Sequence, residues 1–171
     1  MMKKNAAILI MILLSALLLA SCTSGSDSEY DGPYYVTRVV DGDTLIVNIG
    51  GDNTRVRMIG IDTPESVSPD ESRNCEEGKK ASDYTKDQLE GEDVYLEYDV
   101  SEYDKYDRVL AYVYTENDGK YTMFNETLLK KGYARTMTIQ PNVKYADHFY
   151  DLQKEARENN EGFWTTDPWD N

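Results

Sequence analysis

From Tyr34 onward the chain alternates between apolar and polar positions in short runs. Tyr34 to Val40 (YYVTRVV) is β-branched and aromatic, Asp41-Gly42-Asp43 interrupts it, and Thr44 to Ile49 (TLIVNI) resumes with Leu45, Val47 and Ile49 at every second position. Successive side chains of an extended chain point to opposite faces, so this period predicts two half-buried strands. Gly50-Gly51-Asp52-Asn53 is a turn cluster. Thr54 to Ile61 (TRVRMIGI) then predicts a third strand, with Arg55 and Arg57 on one face and Val56 and Met58 on the other. Three strands joined by short turns imply an antiparallel meander.

The period changes after Pro64. A polar loop runs to Glu76, and Glu77 to Leu89 places Ala81, Tyr84, Thr85 and Gln88 at helical spacing before Gly91 ends the run. Asp93 to Asp99 (DVYLEYD) and Val109 to Tyr114 (VLAYVY) return to alternation, as a fourth and fifth strand joined by the charged segment 100–108. Helices are expected over Met123 to Lys131, closed by Gly132, and over Val143 to Glu158. Five strands with helices inserted late predict an α+β fold, mainly β, in which a small five-stranded barrel of the oligonucleotide-binding (OB) type carries about three helices.

The first residues follow a different rule. Lys3 and Lys4 precede an uncharged run from Ala6 to Ala20 (AAILIMILLSALLLA), too short for a comfortable membrane span and typical of an export signal. It ends Leu19-Ala20-Ser21-Cys22, which resembles a bacterial lipoprotein signal; that resemblance implies lipidation of Cys22 and a mature chain beginning there, whereas an ordinary signal peptide would leave Cys22 a bystander. Residues 22–33 contain little to bury and read as a flexible tether. The expected organisation is a signal at 1–21, a tether at 22–33, one domain at 34–166 and a tail at 167–171. On this reading the protein is exported and held on the extracytoplasmic side of a membrane by lipid, and works as a monomer.

Charge sets a constraint. Lys and Arg number 18 against 32 Asp and Glu, a formal −14, and loss of Lys3 and Lys4 with the signal would make the remainder −16. Such a surface repels nucleic acid at long range, so a phosphate-handling protein of this composition depends on a local cationic pocket, a metal ion, or screening salt. With Cys22 acylated, Cys75 is the one thiol left, which excludes an internal disulfide; a partly buried or unreactive thiol is the expectation for it.

Four clusters hold residues suited to chemistry. Asp41-Gly42-Asp43 reads first as a turn, and Asp62-Thr63-Pro64-Glu65 as a strand exit with solvated carboxylates. Arg57 within its strand, and Arg108 after Asp104-Lys105-Tyr106-Asp107, read separately as surface charges. Together they form a set suited to metal-assisted attack on a phosphodiester. Carboxylates supply the oxygens a hard cation needs, arginines grip two phosphate oxygens at once, and a further carboxylate can orient or deprotonate water.

Three segments carry a specific resemblance: Val40-Asp41-Gly42-Asp43-Thr44, then Val56-Arg57-Met58-Ile59-Gly60-Ile61-Asp62-Thr63-Pro64-Glu65, then Asp104-Lys105-Tyr106-Asp107-Arg108-Val109-Leu110-Ala111-Tyr112. With Asn125-Glu126-Thr127-Leu128-Leu129, Gly132-Tyr133-Ala134 and Gly162-Phe163-Trp164, they resemble the thermonuclease, or staphylococcal nuclease-like, family over about residues 34 to 165. The resemblance implies a nuclease that hydrolyses DNA and RNA and leaves 3′-phosphates. It implies that Asp43, Asp62 and the Thr63 backbone carbonyl bind Ca²⁺, that Glu65 positions or deprotonates water, that Arg57 and Arg108 hold the scissile phosphate, and that Lys105 and Tyr106 contact the neighbouring phosphate and nucleoside.

Three features depart from that family. The loop from Ser66 to Glu77 carries Asp70, Glu71, Glu76 and Glu77 against Arg73 where a relative is lysine-rich, Met137 and Ile139 stand where base-packing tyrosines occur, and Asp107 replaces a common glycine. His148 is the only histidine, inside the expected last helix, and reads as solvated. Two-histidine ribonucleases, histidine-base nucleases and Ser-His-Asp hydrolases are therefore excluded. The rival functions are a non-catalytic nucleic-acid-binding barrel and a lipoprotein that binds a small phosphorylated ligand.

Overall fold

A computed structural model describes residues 30–67, 70 and 74–166. The expected signal, Cys22 with residues 22–29 of the tether, and the tail at 167–171 lie outside the described residues. The strands are β1 (Asp31–Asp41), β2 (Thr44–Ile49), β3 (Asp52–Met58), β4 (Gly60–Asp62), β5 (Asp93–Glu97), β6 (Val109–Asn117), β7 (Lys120–Met123) and β8 (Arg135–Met137). Three α-helices, α1 (Glu76–Leu89), α2 (Phe124–Lys130) and α3 (Ala146–Glu158), and a 3-10 turn at Gly162–Thr165 complete the chain.

The expected meander is present, with β1, β2 and β3 antiparallel in succession. β1 also pairs with β5, β5 with β6, and a parallel pairing of β6 with β3 closes a five-stranded barrel. β1 can serve both sides because two register irregularities bend it, one between Val36 and Arg38 and one between Val39 and Asp41. The strand starts at Asp31 rather than Tyr34, with Asp31 opposite Leu96. Val36, Leu45, Val47, Val56, Leu96 and Val113 fill the interior and are fully buried, as strand alternation requires. α1 covers β1 with Ala81, Thr85 and Leu89.

Two features of the strand order differ from expectation. The third strand is divided, because Gly60 takes a left-handed φ of +79° and the Phe149 ring occupies the space a side chain would need there, 2.7 Å from an ideal Cβ. The chain therefore turns at Ile59 and leaves the barrel as β4. β7 and β8 were not anticipated: β6 runs on to Asn117 and turns back through a tight reversal, while β8 pairs antiparallel with β4. The C-terminal helix begins at Ala146, three residues after the predicted start at Val143.

A buried asparagine joins these pieces. Asn125 accepts from the Val113 N–H at 2.9 Å and donates to the Ile59 carbonyl at 2.9 Å. It thereby ties α2 to β6 and to the junction where β3 gives way to β4.

Candidate functional site

The turn Asp41-Gly42-Asp43 is held from below by α1, whose Thr85 hydroxyl donates to the Gly42 carbonyl at 2.7 Å. Asp43 follows with its own carbonyl bonded to the Met58 N–H, which fixes it beside the end of β3. Its carboxylate accepts from the Thr63 N–H at 3.0 Å and the Thr44 hydroxyl at 3.0 Å. Asp41 faces Ser66 instead, accepting its hydroxyl at 2.8 Å. Burial raises the Asp41 carboxyl above its ordinary range, partly offset by the bonds from Ser66 and Gly42.

Arg57 is the centre of the arrangement. β3 alternation puts Arg57 on the outer face, as expected, between buried Val56 and Met58. One terminal nitrogen donates to the Met58 and Ile61 carbonyls at 2.7 and 2.9 Å; the other reaches Asp43 at 2.9 Å and Asp62 at 3.2 Å. A single nitrogen therefore stands between two carboxylates that lie 19 positions apart in sequence.

Asp62 is held on its other side as well. Arg135, directly opposite it in the β4–β8 pair, places Nε and a terminal nitrogen on Asp62 Oδ2 at 3.1 and 3.0 Å. The result is an alternating chain of charges: Asp43, Arg57, Asp62, Arg135.

Glu65 lies two residues beyond buried Thr63 and is half-buried. Its backbone carbonyl accepts the Cys75 N–H at 3.1 Å, and Gly78 permits the close approach, since a Cβ there would stand 2.1 Å from that oxygen. Cys75 is a free, half-buried thiol that caps α1, accepting from the Gly78 N–H.

Arg108 is placed by the parallel β3–β6 register, in which Val56 faces Val109 and Arg57 faces Leu110. Two residues before Leu110, Arg108 shares the outer face of Arg57. Its guanidinium is engaged by Asp104, through Nε at 2.7 Å and a terminal nitrogen at 2.6 Å. Burial opposes ionisation of Asp104, but bonds from the Arg108 backbone and side chain and from the Tyr106 N–H outweigh it and hold the carboxyl below its ordinary value. Asp107 adopts a left-handed φ of +59°, the conformation for which glycine is favoured at such a turn. Lys105 and Arg108 both approach the exposed Tyr106 ring, at 4.9 and 5.6 Å from its centroid.

The predicted residues thus fall into two groups. Asp43, Arg57, Asp62 and Thr63 are in contact; Lys105, Tyr106 and Arg108 form a neighbouring turn on the same outer face. Met137 and Ile139 are exposed, and Ile139 forms an isolated bridge with Asn142. Glu76 and Glu77 of the acidic loop lie in the first turn of α1, while residues 68–69 and 71–73 are outside the described residues. His148 sits half-exposed against Glu126 at 3.0 Å, remote in sequence from both groups, as its solvated reading requires. Arg135, Gly78, Asp41 with Ser66, and Asn125 were missed as parts of the site.

The arrangement suits a cation. Among the described residues no group of three or more His, Cys, Asp or Glu surrounds one point, so protein carboxylates alone would not complete a shell. Two carboxylates already converge on one positively charged nitrogen, however, and the buried Thr63 hydroxyl, packed close to Gly42, has no hydrogen-bond partner. Oxygen donors of this kind fit a hard divalent ion that keeps part of its water.

The closed five-stranded barrel with a rim of alternating acids and arginines defines an OB-type α+β domain with an ionic site on its outer face. The family described as staphylococcal nuclease homologue matches residues 55–166, a range that includes Arg57, Asp62, Glu65, Arg108 and Arg135. The chain is 42% identical over 143 residues to the thermonuclease of Staphylococcus hyicus, covering 84% of this chain and 82% of the relative. It is 44% identical over 131 residues to the thermonuclease of Staphylococcus intermedius, covering 77% and 75% respectively. Endonuclease YncB of Bacillus subtilis is 39% identical over 132 residues, 75% of this chain and 59% of that protein. The chain belongs to the staphylococcal nuclease family and is a nuclease.

Proposed function

We propose that the chain is an exported, Ca²⁺-dependent nuclease that hydrolyses phosphodiester bonds of DNA, RNA or both and leaves 3′-phosphates. The observation that carries this reading is the single Arg57 nitrogen held between Asp43 and Asp62. Asp43, Asp62 and the Thr63 carbonyl would hold the ion, which supplies positive charge to the phosphate as negative charge builds on its oxygens. Glu65 accepts a proton from the attacking water; its backbone is held by the start of α1 for that task. Arg57 and Arg108 bind the phosphate oxygens, each exchanging a carboxylate partner for them. Water adds to phosphorus, the bond to the 5′-oxygen breaks, and that oxygen takes a proton from solvent and leaves as the 5′-hydroxyl. Lys105 and Tyr106, exposed beside Arg108, contact the adjoining nucleotide.

Digestion of single-stranded DNA and of RNA, with Ca²⁺ and then with excess chelator, tests the metal role: turnover should vanish on chelation, and equal rates would refute it. End-group labelling of the products should show phosphate on the 3′ side. Glu65→Gln should lower turnover far more than Ca²⁺ affinity, and the opposite pattern would make Glu65 a ligand.

Export and lipid anchoring are supported by the run Ala6 to Ala20 and the Leu19-Ala20-Ser21-Cys22 ending. Growth with labelled fatty acid should label the native chain, and Cys22→Ser should remove the label.

A further inference from the structure

We propose that Arg135 is a positioning residue that fixes Asp62 by one oxygen and, as a permanent cation beside it, holds down the affinity of the site for a divalent ion. The inference rests on the reading of Asp62 as a cation ligand.

Strand register rather than a chance surface encounter makes the pair. Arg135 and Asp62 are direct partners in the β4–β8 ladder. β8 is pinned from behind, because the Thr136 N–H and hydroxyl both donate to Gln153 of α3, at 2.6 and 3.1 Å, and Ala134 is fully buried. Held at both flanks, Arg135 delivers two N–H groups to the same oxygen, Asp62 Oδ2. That leaves Oδ1 on the Arg57 nitrogen that also meets Asp43. A carboxylate gripped in this way cannot rotate, and outer partners of this kind orient metal ligands.

The same contact has an electrostatic consequence of opposite sign. A fixed unit charge one carboxylate away opposes a doubly charged ion. The Arg135 side chain is 43% exposed, so solvent and salt weaken that opposition without removing it. Acting on two charges, the repulsion outweighs the benefit of a held carboxylate. Arg135 also lightens the hold of Asp62 on Arg57, since the carboxylate keeps a guanidinium partner when Arg57 turns to phosphate.

Calorimetric titration of the chain with Ca²⁺, without substrate, tests this on native protein, Arg135→Gln and Arg135→Lys, in low and in high KCl. Arg135→Gln should bind Ca²⁺ about three- to tenfold more tightly at low salt, with the gain shrinking as salt screens the charge. Arg135→Lys, which keeps the charge and loses the fork, should stay within about twofold of native. A purely structural role would weaken both variants and leave no salt-dependent gain. Unchanged or weaker binding by Arg135→Gln overturns the inference. If thermal melting shows that this variant does not fold, Arg135→Thr, uncharged and suited to a strand, provides the same comparison. A native chain that takes up no Ca²⁺ overturns the reading of Asp62 itself, a result distinct from a native chain that binds and a variant that binds no better.

Discussion

Gly78→Ala isolates the positioning of Glu65 from its chemistry. An ideal Cβ at Gly78 stands 2.1 Å from the Glu65 carbonyl oxygen, 2.4 Å from its carbon and 2.8 Å from the Pro64 oxygen. Carbon and oxygen in ordinary close contact lie about 3.3–3.6 Å apart, so roughly 1 Å of movement is forced on the loop or the helix. The helix is anchored by buried Ala81, Thr85 and Leu89, and the loop by Cys75 N–H on Glu65 and by Ser66 on Asp41. Alanine gains about 1 kcal/mol of helix propensity over glycine, against about 1–3 kcal/mol for overpacking. The net loss of stability is therefore small, at most about 2 kcal/mol. Turnover should suffer more, because a misplacement of about 1 Å near the reacting groups costs on the order of 10²-fold. Steady-state cleavage of single-stranded DNA together with thermal melting measures both, with exposed Lys79→Ala on the same helix as a control. Turnover within twofold of native in Gly78→Ala, with a raised melting temperature, would refute the claim that this contact sets Glu65.

Asn125→Ala should cost about 2–6 kcal/mol in denaturant unfolding, since it strands the buried Val113 N–H and Ile59 carbonyl at about 1–3 kcal/mol each; a loss below about 1 kcal/mol would contradict the joining role given to it. Arg57→Lys should lower turnover at least about 10²-fold, because one ammonium cannot reproduce bonds to two carbonyls and two carboxylates; near-native rates would place the phosphate elsewhere. Asp104 has a folded-state value below its ordinary 3.8, so its stabilising effect is present above pH about 4 and is lost as pH falls through the depressed value. Melting temperatures of native protein and Asp104→Asn should accordingly differ at pH 6 and converge toward pH 3, and a gap independent of pH would remove the ion pair with Arg108 as its cause.

Much of the barrel was legible because its strands obey a strict period of two. Val56 and Met58 inward with Arg57 outward could be read directly, and so could the helix whose Ala81 and Thr85 pack on β1. The break at Gly60 was not, since a glycine inside an alternating run gives no sign that Phe149, far along the chain, needs its space. β8 escaped for a related reason: three residues are too few to establish a period, and their pairing with β4 exists only once α3 has packed behind them. The site was legible to the same degree. Asp43, Asp62 and Arg57 were named from residue type and order, and the structure brings them into contact, whereas Arg135 required the β4–β8 register and Gly78 required the path of the loop after Pro64. Sequence spacing reports what neighbours along the chain share, and it does not report what two distant segments exclude from one another.

The acidity of the chain bears on how the site can work. With a formal charge of −14, a nuclease cannot rely on a broadly positive surface to draw in a polyanion. Nor does the site offer a positive groove, because its arginines are matched: Arg57 by Asp43 and Asp62, Arg135 by Asp62, and Arg108 by Asp104. On the proposed reading phosphate is therefore bound by exchange, with a guanidinium giving up a carboxylate for phosphate oxygens of similar geometry. For Arg57 that exchange would leave buried Asp43 without a cationic partner and Asp62 with Arg135 alone, a costly outcome unless another cation takes them. On the proposed reading Ca²⁺ has this second task beside its effect on the phosphate: by satisfying Asp43 and Asp62 it releases Arg57 to the substrate. Metal requirement and arginine function are then one coupled property of the chain of charges, and the sharing of Asp62 with Arg135 determines how readily that coupling operates.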